Sequence, residues 1–506
     1  MKIRIPGAWL LTMLLALGCA TGGGERAARE TSPSALPADS SLFRLERFRL
    51  MADSLLADSL LEGANCGVYI VELDSGREVY SRNHESLLTP ASVNKLFVAA
   101  AALKALGINH RFRTAVCGDT LRMAQGVLKG NLYLKGYGNP DLSKSDLEAL
   151  AFRLRASGLR WVTGNLVADP SHFDTTSFGY GWMWDEGPYA YNAPISALSL
   201  NGNTFELGVR PGPAKGSPVR AEFRLPSSYL ALENKATTTK AGARGRLKAD
   251  REPGPKGDKV KLSGTMPLDG GVDYLVRTVT RPALYCGTVF REVLSASGIV
   301  VSGPVAVGAA PEGLPELTWH LSPPLYQIVR LMNKDSDNFT AEMIYRQLES
   351  AARPPEGDSL PSEELSAMTT SRLMEVLKKM GFGEADLRMV DGSGLSRYNL
   401  CSPEQLVRVL KLVYQDPALR PELLASLPVS GTDGTMYRRL AQEEYRGLVR
   451  AKTGTLTGVS SLAGFAFSPG GRSYCFAIMA NNYTSRAAAV RAVQDSLLAR
   501  LLAEAP

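Results

Sequence analysis

The residues Ser92 and Lys95 have the types and the spacing of a nucleophile and its base. A serine hydroxyl becomes a good nucleophile only when an adjacent base removes its proton. A lysine three residues further along a helix lies on the same face and can reach that hydroxyl. Burial and neighbouring cations lower the pKa of a lysine toward the range of a useful base. The pair therefore predicts acyl transfer, with Ser92 as nucleophile and Lys95 as base.

A second candidate group follows near the C-terminus, where Lys452, Thr453, Gly454 and Thr455 precede an apolar strand. The lysine and the two threonine hydroxyls could bind a substrate carboxylate, because charge-assisted hydrogen bonds are strong. Gly454 would let the strand approach the substrate closely, since it has no side chain. The backbone N–H groups of Ser92 and Thr455 are expected to form an oxyanion hole for the developing negative charge.

The secondary structure around these short motifs distinguishes a functional site from a chance match. Residues 96–106 are almost entirely apolar and end at Gly107, which predicts a buried helix rather than a surface helix with polar stripes. Thr89 is expected to cap this helix, with Pro90 in its first turn. A third motif, Ser336-Asp-Asn338, lies in a polar stretch between two apolar helical runs. Its plain alternative is a helix-capping loop.

The predicted secondary structure and the composition change along the chain. Residues 42–62 have apolar side chains at helical spacing, and residues 67–80 predict a β-hairpin. Short strands dominate from about 113 to 280, and residues 209–258 are rich in Gly, Pro, Ala, Lys and Arg. Helical segments resume at residue 282, and two strands and a helix end the chain. The pattern predicts one α/β (α+β) domain that is split by a large β-rich insertion.

Bulk properties set outer limits on the function. A chain of 506 residues is too long for one compact core, so we expect two to four domains. The net charge of +7 suits an anionic partner such as cell-wall polymer, but a modest excess spread over a large surface is the favoured explanation. The sequence has no dense run of Lys and Arg, so a nucleic-acid partner is not predicted. The chain has four histidines and widely scattered cysteines, so we predict neither a metal site nor a cofactor.

The first residues have the features of an export signal. Lys2 and Arg4 precede a short apolar run, residues 8–17, which is too short to span a bilayer. Cys19 follows a small residue at the end of this run, as at bacterial lipoprotein cleavage sites, and we expect it to be lipidated. A plain secretory signal is the alternative. Residues 20–40 predict a flexible tether, so the protein is expected in the periplasm or cell envelope, with any membrane attachment through that lipid.

The three motifs in this order resemble the S-x-x-K, S-D-N and K-T-G set of the serine acyl-transferases that recognise penicillin. More closely, the chain resembles the class C low-molecular-mass penicillin-binding proteins, the D-alanyl-D-alanine carboxypeptidase/endopeptidase type. Further segments carry this resemblance over most of residues 45–500: Thr89-Pro-Ala-Ser92, Gly130-Asn-Leu-Tyr-Leu134, Gly138-Asn-Pro-Asp-Leu142, Asn192-Ala-Pro-Ile-Ser-Ala-Leu-Ser199, Asp391-Gly-Ser-Gly-Leu-Ser-Arg397 and Leu427-Pro-Val-Ser-Gly431.

The resemblance implies a fold and a set of roles. The fold would be β-lactamase/transpeptidase-like, an antiparallel sheet with helices on both faces, interrupted by two inserted β-rich domains. Ser336 would relay a proton between the lysine and the leaving amine, and Asn338 would hold the substrate backbone. The expected partners are peptidoglycan stem peptides, cut at the D-Ala-D-Ala end or at cross-links, and β-lactams as covalent inhibitors. Residues 391–397 could shape the site or form a purely structural turn.

The change of texture and the resemblance together predict the domain boundaries. The predicted segments are the signal at 1–19, the tether at 20–40, the transpeptidase-like part at 41–112 and 281–506, one inserted domain at 113–202 and 265–280, and a second inserted domain at 203–264.

Two other functions share parts of this pattern. A class A β-lactamase needs a glutamate that activates the deacylating water, but Ala197 stands at that place before Leu200 and Asn201. The interval between Ser92 and Ser336 also exceeds the compact β-lactamase arrangement. A non-catalytic wall-binding protein on the same fold would need no nucleophile. The sequence therefore predicts a serine DD-peptidase that works through an acyl-enzyme.

Overall fold

The computed structural model describes residues 39–350, 362–383 and 387–504. The predicted signal segment and Cys19 lie outside these residues, as does nearly all of the predicted tether. None of the described helices has the length and the apolar character that crossing a membrane requires.

The helices of the described part are Asp39–Leu56 (α1), Lys95–Ala105 (α2), Lys144–Ala156 (α3), Pro282–Ala296 (α4), Leu325–Asp335 (α5), Asn338–Ser350 (α6), Ser362–Lys379 (α7), Pro403–Gln415 (α8), Arg420–Ser426 (α9) and Ala487–Glu504 (α10).

The strands of the N-terminal half and the middle of the chain are Asn65–Glu72 (β1), Glu78–Arg82 (β2), Arg113–Cys117 (β3), Met123–Ala124 (β4), Val127–Leu128 (β5), Leu132–Gly136 (β6), Trp161–Val162 (β7), Leu166–Asp169 (β8), Thr204–Arg210 (β9), Arg220–Phe223 (β10), Leu230–Asn234 (β11), Thr237–Thr239 (β12), Arg246–Pro253 (β13), Asp258–Pro267 (β14) and Asp273–Thr278 (β15). The remaining strands are Val300–Val301 (β16), Val305–Val307 (β17), Glu316–Leu321 (β18), Val449–Leu456 (β19), Val459–Phe467 (β20) and Ser473–Asn481 (β21).

A five-stranded antiparallel sheet forms the centre of the predicted transpeptidase-like part, in the order β19-β20-β21-β1-β2. Its side chains alternate between two cores because successive residues of a strand point to opposite faces. On β21, Phe476 and Ile478 pack with α1 and α10, whereas Ala477 and Met479 pack with α2 and α8. Helices therefore cover both faces, as the resemblance implied.

The helix that carries the nucleophile begins later than predicted. Ala91–Asn94 form a short 3-10 turn, and α2 proper begins at Lys95. The predicted N-cap at Thr89 is wrong, because Pro90 precedes the turn and makes no side-chain cap. The Thr89 backbone is instead paired with the Asn481 side chain, 2.8 Å from its N–H and 3.1 Å from its carbonyl. The prediction of a buried helix is confirmed.

The inserted part contains its own sheets. A five-stranded sheet has the order β17-β8-β6-β3-β18, and a smaller one has the order β16-β7-β5-β4. Further on, β9, β10 and β15 form one sheet, and β11 to β14 form another. The pairing differs from the predicted boundary at residue 281, because β16, β17 and β18 lie after it and pair with strands before it. We therefore propose that the inserted part extends to Leu321.

Candidate active site

The Ser92 hydroxyl and the Lys95 amine lie together where the 3-10 turn meets α2. Residues i and i+3 eclipse each other in a 3-10 turn, so the two side chains share one side. Lys95 Nζ is 3.0 Å from Ser92 Oγ. The structure thus brings the predicted nucleophile and the predicted base into direct contact.

Lys95 is completely buried, and three oxygens surround its amine. Nζ donates to Ser92 Oγ, to Asn338 Oδ1 at 2.7 Å and to the Ser393 carbonyl at 2.6 Å. Burial lowers the pKa of Lys95 to about 8, although nearby carboxylates, Asp391 foremost, oppose this shift. An amine with such a pKa is partly neutral near neutral pH, so it can accept the Ser92 proton.

Ser336 and Asn338 occupy the joint between α5 and α6. Ser336 caps α5 in the left-handed conformation, with φ of 59°, and α6 begins at Asn338. The Asn338 amide bridges two parts of the chain, because its oxygen accepts from Lys95 and its Nδ2 donates to the Tyr191 carbonyl at 3.0 Å. An amide nitrogen has two N–H donors. Since no other described residue accepts from this nitrogen, its second N–H can serve a substrate carbonyl.

Lys452 lies buried behind Ser336 and forms a second serine–lysine pair. Its Nζ donates to Ser336 Oγ at 2.8 Å and to the Thr453 carbonyl at 2.9 Å. Burial lowers the pKa of Lys452 well below its ordinary value, and the positive charge of Lys95 lowers it further. Among the described residues no hydrogen bond joins Ser336 to Lys95, so a relay through Ser336 would involve the second lysine.

Gly454 brings β19 against the turn that carries the nucleophile. A Cβ at this position would lie 2.7 Å from the Pro90 carbonyl oxygen and 3.0 Å from the Ser92 nitrogen, both backbone atoms that cannot move aside easily. The glycine therefore permits contact between strand and turn, in addition to its predicted role toward substrate. On either side of it, Thr453 Oγ1 donates to Thr435 Oγ1 at 2.7 Å, and Thr455 is exposed.

Residues 391–397 form part of the site, which settles an alternative that the sequence left open. The Ser393 carbonyl accepts from Lys95, and the Asp391 carbonyl accepts from the Asn94 side chain at 2.9 Å. Gly394 has φ of 81°, and a Cβ there would overlap the Ala91 carbonyl oxygen. The segment is thus packed against the nucleophile turn as closely as a glycine allows.

Asp391 holds this loop in shape, a role that the sequence analysis missed. Its carboxylate accepts from the N–H of Gly394 at 2.7 Å, from that of Ser396 at 2.7 Å and from Trp182 Nε1 at 2.9 Å. Trp182 belongs to the inserted part, so this carboxylate also joins the insert to the catalytic site. The only signal in the sequence is the Asp-Gly-Ser-Gly pattern, which is typical of a carboxylate that folds its own turn.

Glu342 is a second buried carboxylate that the sequence analysis missed. Its Oε1 accepts from the N–H of Gly392 at 3.0 Å and from that of Ser393 at 2.7 Å, which fixes the two peptide groups just before the Ser393 carbonyl that binds Lys95. Burial, and then the charge of Asp391, raise the pKa of Glu342 to about 7. Nothing in the sequence distinguishes it from a surface glutamate on α6, because its partners lie about fifty residues away.

Comparison with known proteins identifies the family. The D-Ala-D-Ala carboxypeptidase 3 (S13) family matches residues 50–503, which is most of the chain. The chain belongs to this family. This carboxypeptidase is 36% identical to a D-alanyl-D-alanine carboxypeptidase of an Actinomadura species, over 95% of this chain and 91% of the relative.

Solved structures agree with the sequence comparison. The carboxypeptidase is similar to the crystal structure of penicillin binding protein 4 from Haemophilus influenzae, with a TM-score of 0.78, 26% identity and coverage of 89% of this chain and 99% of the other. The same protein complexed with a β-lactam gives a TM-score of 0.73 at 25% identity, with coverage of 89% and 99%. The predicted family and the predicted fold are confirmed. The protein is a serine peptidase of the D-Ala-D-Ala carboxypeptidase type.

Proposed function

We propose that this carboxypeptidase hydrolyses the D-Ala-D-Ala end or the peptide cross-links of peptidoglycan through an acyl-enzyme on Ser92. One observation carries the proposal. Lys95 is buried, has a pKa lowered to about 8, and lies 3.0 Å from the Ser92 hydroxyl. A protein that only binds the cell wall would gain nothing from a desolvated base beside a serine.

Acylation begins when neutral Lys95 takes the proton of Ser92 and Oγ attacks the carbonyl carbon of the scissile peptide bond. The carbonyl oxygen becomes an oxyanion, which the N–H groups of Ser92 and Thr455 stabilise. The close contact between β19 and the nucleophile turn at Gly454 supports this pairing of donors. The C–N bond then breaks, leaving an ester on Ser92.

The leaving amine must gain a proton as that bond breaks. Ser336 supplies it and is reprotonated from Lys452, with which it shares a hydrogen bond of 2.8 Å. The substrate carboxylate next to the scissile bond lies against Thr453, Thr455 and the Lys452 ammonium. Its negative charge favours the protonated form of Lys452. Before the second step, Lys95 releases the proton that it took from Ser92 and Lys452 regains one, both by exchange with solvent. Water then attacks the ester, and Lys95 takes the proton of the water and returns it to Ser92 Oγ as the ester C–O bond breaks, which regenerates the hydroxyl.

Covalent labelling tests the proposal most directly. The protein is incubated with a fluorescent penicillin, digested and mapped by mass spectrometry, and is then assayed for D-alanine release and for cleavage of cross-linked muropeptide dimers. We expect a stable adduct on the peptide that contains Ser92, and at least one of the two hydrolytic products. Rapid turnover of penicillin would favour a β-lactamase. A labelled protein that forms neither product would indicate a wall-binding protein.

We further propose that the protein is exported and anchored through lipidated Cys19. The charged and apolar residues that precede Cys19 support this, together with a family whose relatives act on a cell-wall substrate. Intact-mass analysis of the mature protein from a bacterial host should show an acylated Cys19 at the N-terminus. A free N-terminus at any later residue would contradict lipidation and favour a plain secretory signal.

A further inference from the structure

A trough leads away from the carboxylate-binding threonines along the start of α10. Its first part is a cavity of about 450 Å³, whose lining includes Thr453, Thr455, Arg438 and Arg491. A second cavity of about 460 Å³ shares Arg438 and Asp495 with the lining of the first and extends the trough along α10 to Ala499. The two cavities together are far larger than a single alanine requires.

The trough has an excess of positive charge. Asp495 also lines it, but this carboxylate accepts from Arg439 Nη2 at 2.7 Å and from its Nε at 3.0 Å, and is neutralised by that pair. Neither Arg438 nor Arg491 has a carboxylate partner within ion-pair distance among the residues that the structure describes. The N-terminal turn of α10 borders the cavity at Ala488 and adds the positive end of the helix dipole.

Small side chains keep the two guanidinium groups accessible. Ala488, Arg491, Ala492 and Asp495 recur at three- and four-residue intervals, so they share one face of α10. The alanines leave space beside Arg491, which is half-buried, and Arg438 is exposed. Guanidinium groups bind carboxylates through paired hydrogen bonds, so two unpaired ones facing a cavity form a good carboxylate site.

We propose that Arg438 and Arg491 form a leaving-side subsite for a peptide that carries a carboxylate beyond the one next to the scissile bond. The inference rests on the proposed function, in which Thr453 and Thr455 hold that first carboxylate. Everything beyond them belongs to the leaving group. A free D-alanine carries only that first carboxylate, whereas the leaving half of a cross-link continues as a peptide with further carboxylates. The subsite therefore selects cross-links and makes this protein an endopeptidase.

A charge-matched pair of substrates tests the subsite. Two synthetic cross-linked dimers differ only in the leaving peptide, where the carboxylates beyond the scissile residue are either free or amidated. For the wild-type protein we expect kcat/KM to be about 10-fold higher on the free-carboxylate dimer, as charge-assisted hydrogen bonds at a partly exposed site allow. The double variant Arg438→Gln/Arg491→Gln should bring that ratio close to one. Arg438→Lys/Arg491→Lys should keep part of the preference.

The matched control is Arg244→Gln/Arg500→Gln. It also removes two positive charges, but from exposed residues that line neither cavity. It should keep the wild-type ratio, and thermal unfolding shows whether each variant is folded. A wild-type ratio near one, or an unchanged ratio in the Arg438/Arg491 variant, overturns the subsite while penicillin labelling of Ser92 still supports the proposed function. If wild-type protein forms no adduct and cleaves no substrate, the proposed function fails and the subsite with it.

Discussion

Replacement of Ser92 by alanine is expected to abolish covalent labelling by penicillin and to lower kcat/KM on peptide substrates by at least about 10⁴-fold. Without the hydroxyl no ester can form, and the remaining groups can only polarise the substrate for direct attack by water. The hydroxyl is a partner of Lys95 at 3.0 Å and belongs to an otherwise unchanged turn, so the fold should persist. Intact-mass spectrometry after incubation with penicillin measures the first effect, and steady-state kinetics measures the second.

Ser81→Ala serves as the control, because this serine lies outside the site on β2 and its hydroxyl donates to Glu78 on the surface. It should be labelled as quickly as the wild-type protein. Ser336→Ala should be labelled slowly but completely, since a relay residue affects the rate and not the identity of the ester. A penicillin adduct on the Ser92→Ala protein would show that another residue is the nucleophile.

The parts of this fold that follow from local pattern were predictable. The nearly continuous apolar and small residues along β20 and β21 require two buried faces, and the apolar body of α2 requires burial all round. The three motifs then predict which segments of the chain meet, because a nucleophile, a relay and an anion site must share one cleft. The structure joins Lys95 to Ser92 and Asn338 by hydrogen bonds, and it joins Ser336 to Lys452 in a second hydrogen-bonded pair.

The parts that depend on distant pairing could not be predicted in this way. Nothing in the residues of β17 and β18 says that they pair with β8 and β3, because short strands of this kind fit many neighbours. The end of the inserted part that we propose, at Leu321, therefore lies later than the predicted boundary at 281. The role of Glu342 could not be predicted for the same reason, since only the fold brings its carboxylate to the N–H groups of Gly392 and Ser393.

The start of α2 shows a different limit. Thr89 followed by Pro90 is a good local signal for a helix N-terminus. In the structure a tertiary contact takes precedence, because Asn481 of β21 binds both backbone groups of Thr89 and holds it beside the sheet. The helix begins after a 3-10 turn instead, and Ser92 lies on that turn. Local propensity predicted the helix, but the position of its nucleophile depends on the sheet.

Replacement of Lys95 by methionine is expected to lower the rate of acylation by about 10³-fold, the usual contribution of a general base. Methionine fills the buried volume but cannot accept a proton. In the wild-type protein only the neutral amine is a base, and the charged form dominates below the pKa of about 8. The acylation rate should therefore rise with pH, reach half its maximum near pH 8 and then level off. Stopped-flow measurement of penicillin acylation between pH 6 and 10 checks both effects.

Lys104→Met is the matched control, because this lysine lies on the same helix, is exposed and pairs with Asp416 on the surface at 2.9 Å. It should leave the rate and its pH dependence unchanged, since exposed ion pairs contribute little. Lys95→Arg should be as inactive as Lys95→Met, because a guanidinium does not lose its proton in this range. An active Lys95→Arg protein would contradict the assignment of Lys95 as base.

The buried Lys452 also has a lowered pKa, so the rise in rate with pH has two candidate origins. The variant Lys452→Arg separates them. If Lys95 is the base, this variant acylates more slowly yet keeps the rise with pH, because the burial that lowers the pKa of Lys95 is unchanged. If the rise vanishes with Lys452, that lysine provides the titrating group. The Ser336–Lys452 pair, and not Ser92–Lys95, would then control the first proton transfer.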